Sequence, residues 1–188
     1  ASKYAGENVE ICYSAKLNDK HGVNFDAETN TAELWYTRNP GEDKKQGGER
    51  KTYHYTFEIN GNVDAMSETE NREVIKIGIN DKGDQILRAT VSKSDPTWTP
   101  LAGVEFELQD SDGNVVKKVV TDAKGVLRGM TQLDAGEYKL VEKKLPAEYS
   151  QYKVNSNPID VVIDAKLDSV GRLDSYTVTV GDIVIGNY

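Results

Sequence analysis

The chain has 188 residues, 37% of them hydrophobic, with ten Tyr against three Phe and two Trp, and 31 acidic against 23 basic side chains. That length fits one large domain or two smaller ones, and the preference for Tyr over bulkier aromatics suits thin β-sheets. A net charge of -8 with no basic patch excludes nucleic acid as a partner, and no apolar run approaches the length of a membrane span. The chain opens on Ala-Ser-Lys without a signal peptide, so it reads as a mature fragment. Its single cysteine, Cys12, has no second cysteine and no activating base nearby in sequence; the expectation is a buried strand thiol without redox or catalytic work.

Apolar and polar residues alternate on a two-residue period almost throughout, the pattern of antiparallel strands. In the first third the strands are expected at 9–17, 31–37 and 52–59, with a polar loop at 39–50. Residues 60–72 are polar and read as a linker. Beyond them the pattern becomes evenly spaced: strands are expected at 74–79, 86–92, 103–109, 115–121, 136–143, 159–163, 176–180 and 183–188. Asp81-Lys-Gly, Asp110-Ser-Asp-Gly-Asn, Asp122-Ala-Lys-Gly and Asp134-Ala-Gly supply turns between them. Spacing of roughly ten residues between turns predicts a β-sandwich.

One residue sits oddly in this pattern. In Tyr138-Lys-Leu-Val-Glu142-Lys-Lys-Leu-Pro146-Ala-Glu-Tyr149 the strand period puts Glu142 on the face of Tyr138 and Leu140. An acid among inward apolar side chains is costly unless something uses it; the plainer reading is a surface acid between Val141 and Lys143. The segment resembles the E-box, YxLxETxAPxGY, of Gram-positive pilin and adhesin domains of the Cna-B type. Three further segments are similar to motifs of that family, in the same order: Pro100-Leu-Ala-Gly-Val-Glu-Phe-Glu-Leu-Gln-Asp, Thr121-Asp-Ala-Lys-Gly125 and Leu133-Asp-Ala-Gly-Glu-Tyr-Lys-Leu140. The E-box departs from the pattern at Lys143, Leu145 and Glu148, which flank the acid without replacing it.

The resemblance implies that Glu142 promotes an isopeptide bond between a lysine on the first strand of the domain and an asparagine on the last. The matching positions are Lys76, in Val-Ile-Lys-Ile-Gly, and Asn187, next to the last residue. Lys93 is the alternative amine, because many family members carry their lysine just before the Pro-Leu-Ala-Gly segment. Period alone argues otherwise for Lys76: it alternates with Ile75 and Ile77 and belongs on a solvent face. Asn187 by itself is an ordinary terminal turn residue. The chemistry has its own logic, since burial lowers a lysine's pKa and raises a glutamate's, leaving a neutral amine beside a protonated acid. A bond between positions 76 and 187 would keep a stretch of about 350–400 Å of extended chain from being pulled out.

The first third carries a second resemblance. Asn30-Thr-Ala-Glu-Leu-Trp-Tyr-Thr-Arg-Asn-Pro40 is similar to the end of the middle domain of sortase-assembled pilin backbones, where the asparagine is commonly an isopeptide acceptor. Asn30 is therefore a possible second acceptor, an exposed turn residue being the equal alternative. Residues 1–59 are expected to be the C-terminal part of a preceding β-sandwich pilin domain, 60–72 the linker and 73–188 a Cna-B-like sandwich. The Asp110–Asn114 segment mimics the opening of a calcium loop but lacks the distal glutamate, so a hairpin turn is preferred. His21 and His54 lack metal-ligand spacing, and no cofactor or metal is expected.

The expected fold class is thus all-β, an immunoglobulin-like or prealbumin-like sandwich. The resemblance implies a structural subunit of a Gram-positive pilus, outside the cell and attached to the wall. It is not an enzyme beyond one self-catalysed turnover. Its partners would be neighbouring pilin subunits joined by a sortase and possible host surfaces, with no membrane insertion. The alternatives are the stalk of a wall-anchored adhesin and an accessory sandwich of a secreted carbohydrate-active enzyme.

Overall fold

The structure, a computed structural model, describes residues 10–16, 22, 24–36, 46–59, 72–79, 85–91 and 98–187. Eleven strands are described: β1 (Glu28–Tyr36), β2 (Gln46–His54), β3 (Arg72–Ile79), β4 (Gln85–Val91), β5 (Trp98–Pro100), β6 (Glu105–Gln109), β7 (Val115–Val120), β8 (Gly136–Lys144), β9 (Ile159–Leu167), β10 (Leu173–Val180) and β11 (Ile183–Asn187). They form a hairpin of β1 and β2, a six-stranded sheet in the order β11-β10-β9-β8-β6-β7, and a three-stranded sheet in the order β4-β3-β5. Every pairing between these strands is antiparallel.

The two larger sheets share one core. Val74 from β3 and Leu101 just after β5 join Phe106, Leu108, Tyr138, Leu140, Val161, Ile163, Tyr176, Val178, Val180 and Ile185 from the six-stranded sheet. These side chains recur every second residue, as a half-buried sheet requires: β10 buries Tyr176, Val178 and Val180 and turns the intervening threonines outward. At roughly 1.5–3 kcal/mol for each large apolar side chain buried, this shared layer holds the sheets together.

The first third departs from expectation in three ways. Residues 10–16 form no strand, and Cys12 is exposed, its thiol 3.4 Å from Glu10 Oε1, because no neighbouring strand covers it. β2 begins at Gln46, inside the expected loop, because Gly47 and Gly48 fit the register opposite Trp35 and Leu34: a Cβ on Gly47 would lie 2.0 Å from the Leu34 carbonyl oxygen. Third, the expected boundary after Ile59 does not match the packing. Phe57 and Ile59 belong to the sandwich core, and the Phe57 backbone exchanges hydrogen bonds with Leu133 at 2.7 and 3.0 Å while the Ile59 N–H donates to Met130. Phe57 stacks at 4.8 Å on Tyr176, which also meets Phe25 at 5.4 Å. Residues 55–59 thus complete the downstream sandwich. By contrast β1 is exposed along nearly its whole length, including Leu34, Trp35 and Tyr36.

Three hairpin turns share one device. Asp110, Asp122 and Asp168 each accept backbone N–H bonds from residues two and four positions on, and a glycine with positive φ follows at the third position. This confirms a turn at Asp110, whose carboxylate is occupied by Asp112 and Asn114. Hydrogen bonds hold two of these carboxyls below their ordinary range, chiefly the Asn114 side chain for Asp110 and the Arg172 N–H for Asp168. A depressed folded pKa contributes stability fully above the unfolded value and loses it as pH falls through the folded value. The Asp110→Asn/Asp168→Asn double variant is therefore expected to lose less stability than wild type on acidification through the carboxylate range, measured by chemical unfolding at a series of pH values.

Candidate functional site

β8 carries Glu142 into the interior. Tyr138, Leu140 and Glu142 are its buried positions, alternating with exposed or half-buried neighbours. A β-bulge follows at once, because Phe106 of β6 faces Glu142 while Glu105 faces Lys144, leaving Lys143 as the extra residue. Lys143 points to the surface and approaches Glu107 at 3.4 Å. The departure from the E-box pattern at this position therefore lies outside the core.

Lys76, at the middle of β3, is 0% exposed, and Glu142 is 6% exposed. Lys76 Nζ donates to Glu142 Oε2 at 2.8 Å. Glu142 Oε1 is buried with no hydrogen-bond partner among the described residues. Burial pushes the Lys76 ammonium below its ordinary range, against the opposing pull of Glu142. A buried ion pair seldom adds net stability, because desolvating two charges costs about what their attraction returns.

Two chain segments clamp the lysine's backbone, and two further contacts brace them. The Lys76 N–H donates to Gly125 O at 2.8 Å, and Lys76 O accepts from the Leu101 N–H at 3.0 Å. Thr121 Oγ1 donates to Leu101 O at 2.6 Å and accepts from the Val104 N–H at 2.9 Å. The E-box reaches the same place, since Tyr149 Oη accepts from the Ala102 N–H at 3.1 Å. Gly78, two residues beyond Lys76, is required for close approach: a Cβ there would lie 2.4 Å from Tyr152 Cζ. Sequence reasoning took the Pro-Leu-Ala-Gly and Thr-Asp-Ala-Lys-Gly segments as marks of resemblance and as turns. Their contact with Lys76 was not foreseen.

The other candidates are placed differently. Asn187 ends β11, paired with Thr177 of β10 and two positions beyond the buried Ile185; β11 approaches β3 of the other sheet at a few positions. The Asn187 side chain lies outside the described residues. So do Lys93 and His21. Asn30 is an exposed residue within β1, opposite Thr52, and the structure does not bring it to Lys76 or Glu142. His54 lies 3.4 Å from Asp134 at the surface.

Comparison with known proteins agrees with this architecture. Residues 88–173 match the family described as SpaA, prealbumin-like fold domain. The chain is also 27% identical over 168 residues to the trypsin-resistant surface T6 protein of Streptococcus pyogenes serotype M6. That alignment covers 85% of this chain and 27% of the relative, so the chain spans about a quarter of the relative's length. The fold is prealbumin-like.

Proposed function

We propose that the chain is a load-bearing section of a pilus subunit, stabilised by a self-formed isopeptide bond from Lys76 to Asn187. The observation that carries this reading is the buried Lys76–Glu142 contact at 2.8 Å. Ammonium with carboxylate and amine with carboxylic acid hold the same number of protons. The reactive pair is thus reached by moving one proton along that hydrogen bond, in the direction that burial of the Lys76 ammonium favours. The neutral Nζ attacks Cγ of Asn187 while the protonated carboxyl polarises the amide oxygen and relays protons. The Cγ–Nζ bond forms, the Cγ–Nδ2 bond breaks, and Nδ2 departs as ammonia with the proton given up by the amine. Positioning takes the place of a separate catalyst, and the reaction occurs once per molecule.

The surface location and trypsin resistance in the relative's name suit such a stalk. Neighbouring pilin subunits, joined by a sortase, would be its partners. Strands β1 and β2 would belong to an upstream sandwich, because a two-stranded hairpin exposing Leu34, Trp35 and Tyr36 does not hold a core by itself. Intact-mass measurement tests the bond. Folded wild type is expected to be one ammonia lighter than its sequence, and Glu142→Ala is expected to keep the full mass. A wild type at full sequence mass would falsify the reading.

A further inference from the structure

We propose that Gly125 is a positioning residue for bond formation at Lys76, and that Thr121 and the Asp122–Gly125 turn serve as the clamp that aims it. The inference rests on the isopeptide reading and adds to it how the nucleophile's backbone is held. β3 is a central strand, yet at Lys76 its second edge lies beyond the end of β5. It is covered by Gly125, whose carbonyl accepts the Lys76 N–H, and by Leu101, whose N–H meets the Lys76 carbonyl. Leu127 N–H continues the contact to Val74 O. Fixing both backbone groups of one residue fixes the origin of its side chain, which matters when the reacting atoms must meet in near-attack geometry.

Gly125 is needed for a reason separate from its turn. Its φ is +73°, and a Cβ there would stand 2.6 Å from Lys76 O, 3.1 Å from Leu101 N and 3.2 Å from Pro100 Cβ. The first two are backbone atoms and the third belongs to a proline ring, so none can swing aside. Room is gained only by moving β3, the Leu101 segment or the turn itself, and each of these disturbs a hydrogen bond that holds the Lys76 backbone. The molecule contains its own control. Gly113 closes the equivalent turn after Asp110, with φ +83° and the same hydrogen bond from its N–H to the aspartate carbonyl, but nothing lies within 4 Å of its would-be Cβ. A Gly113→Ala substitution imposes the left-handed backbone strain alone; Gly125→Ala adds the collision with Lys76.

The experiment follows bond formation in newly synthesised full chain from a cell-free reaction, quenched in denaturant at intervals and read by intact mass. Wild type and Gly113→Ala are expected to lose ammonia at the same rate, and Gly125→Ala on the order of 10–100-fold more slowly while remaining folded by circular dichroism. A linked wild type with Gly125→Ala as fast as Gly113→Ala overturns this inference and leaves the isopeptide reading standing. A wild type that never loses ammonia removes both. Should Gly125→Ala fail to fold, Thr121→Val and Thr121→Ser decide. Losing the hydroxyl frees the Leu101 arm and is expected to slow the reaction, whereas serine keeps the hydroxyl and restores the rate. Equal rates in those two variants overturn the clamp.

Discussion

Glu142→Ala is expected to unfold, and to be cut by trypsin, under conditions that leave the wild-type chain intact. Two effects combine. Without the promoting acid the cross-link does not form, and a closed loop of this size restricts the denatured chain by about 4–5 kcal/mol on the disulfide analogy. The variant also leaves a free Lys76 amine, 0% exposed, without a partner acid, and an uncompensated buried charge costs about 3–5 kcal/mol. Together these approach the whole stability of a domain this size. A Lys76→Met/Glu142→Leu double variant separates them. It lacks the bond but fills the site with apolar atoms, so its denaturant midpoint should fall between those of wild type and Glu142→Ala. Coincidence of the double variant with wild type would show that the cross-link adds nothing.

The second large effect is expected at Phe57. Its ring, 2% exposed, lies against Tyr176 in the core, and its backbone pairs with Leu133. Phe57→Ala should destabilise the sandwich by about 3–5 kcal/mol, from lost burial and the cavity left behind. Leu34→Ala, at a side chain 69% exposed on β1, should change it by less than about 0.5 kcal/mol. Denaturant unfolding of both variants checks the pair of values. If residues up to 59 formed a unit separate from the sandwich, Phe57→Ala would leave the unfolding of residues 72–187 unchanged.

The contrast between those residues shows where the sequence was informative. Glu142 was legible because β8 alternates strictly, Tyr138 and Leu140 inward, so the period alone placed the acid among them. The turns at Asp110 and Asp122 were legible because an aspartate followed three residues later by glycine has one favourable hairpin geometry, whereas the same device at Asp168 was not picked out and the expected turn at Asp81 lies outside the described residues. Lys76 was not legible from period. Ile77 is buried as well as Val74 and Lys76, since β3 is central in its sheet and covered on both sides, and alternation loses its meaning there. Only the family resemblance pointed to this lysine, and its burial beside Glu142 is the observation on which the proposal rests.

Phe57 and Ile59 failed for a different reason. The polar run after Ile59 suggested a boundary, but a boundary in composition need not be one in packing. Cys12 failed because alternation in 9–17 predicts a strand only where a partner strand exists, and residues 10–16 have none among the described residues. The clamp around Lys76 is built largely from backbone groups of Leu101 and Gly125, and backbone groups leave no pattern in a sequence beyond the glycine itself.

The connectivity of the proposed bond can be read directly. A protease digest of folded wild-type protein, sequenced by tandem mass spectrometry, should contain one branched peptide joining Lys76 to Asn187, with an ammonia missing at the junction. Linear peptides carrying unmodified Lys76 and unmodified Asn187 from the same folded sample would contradict it.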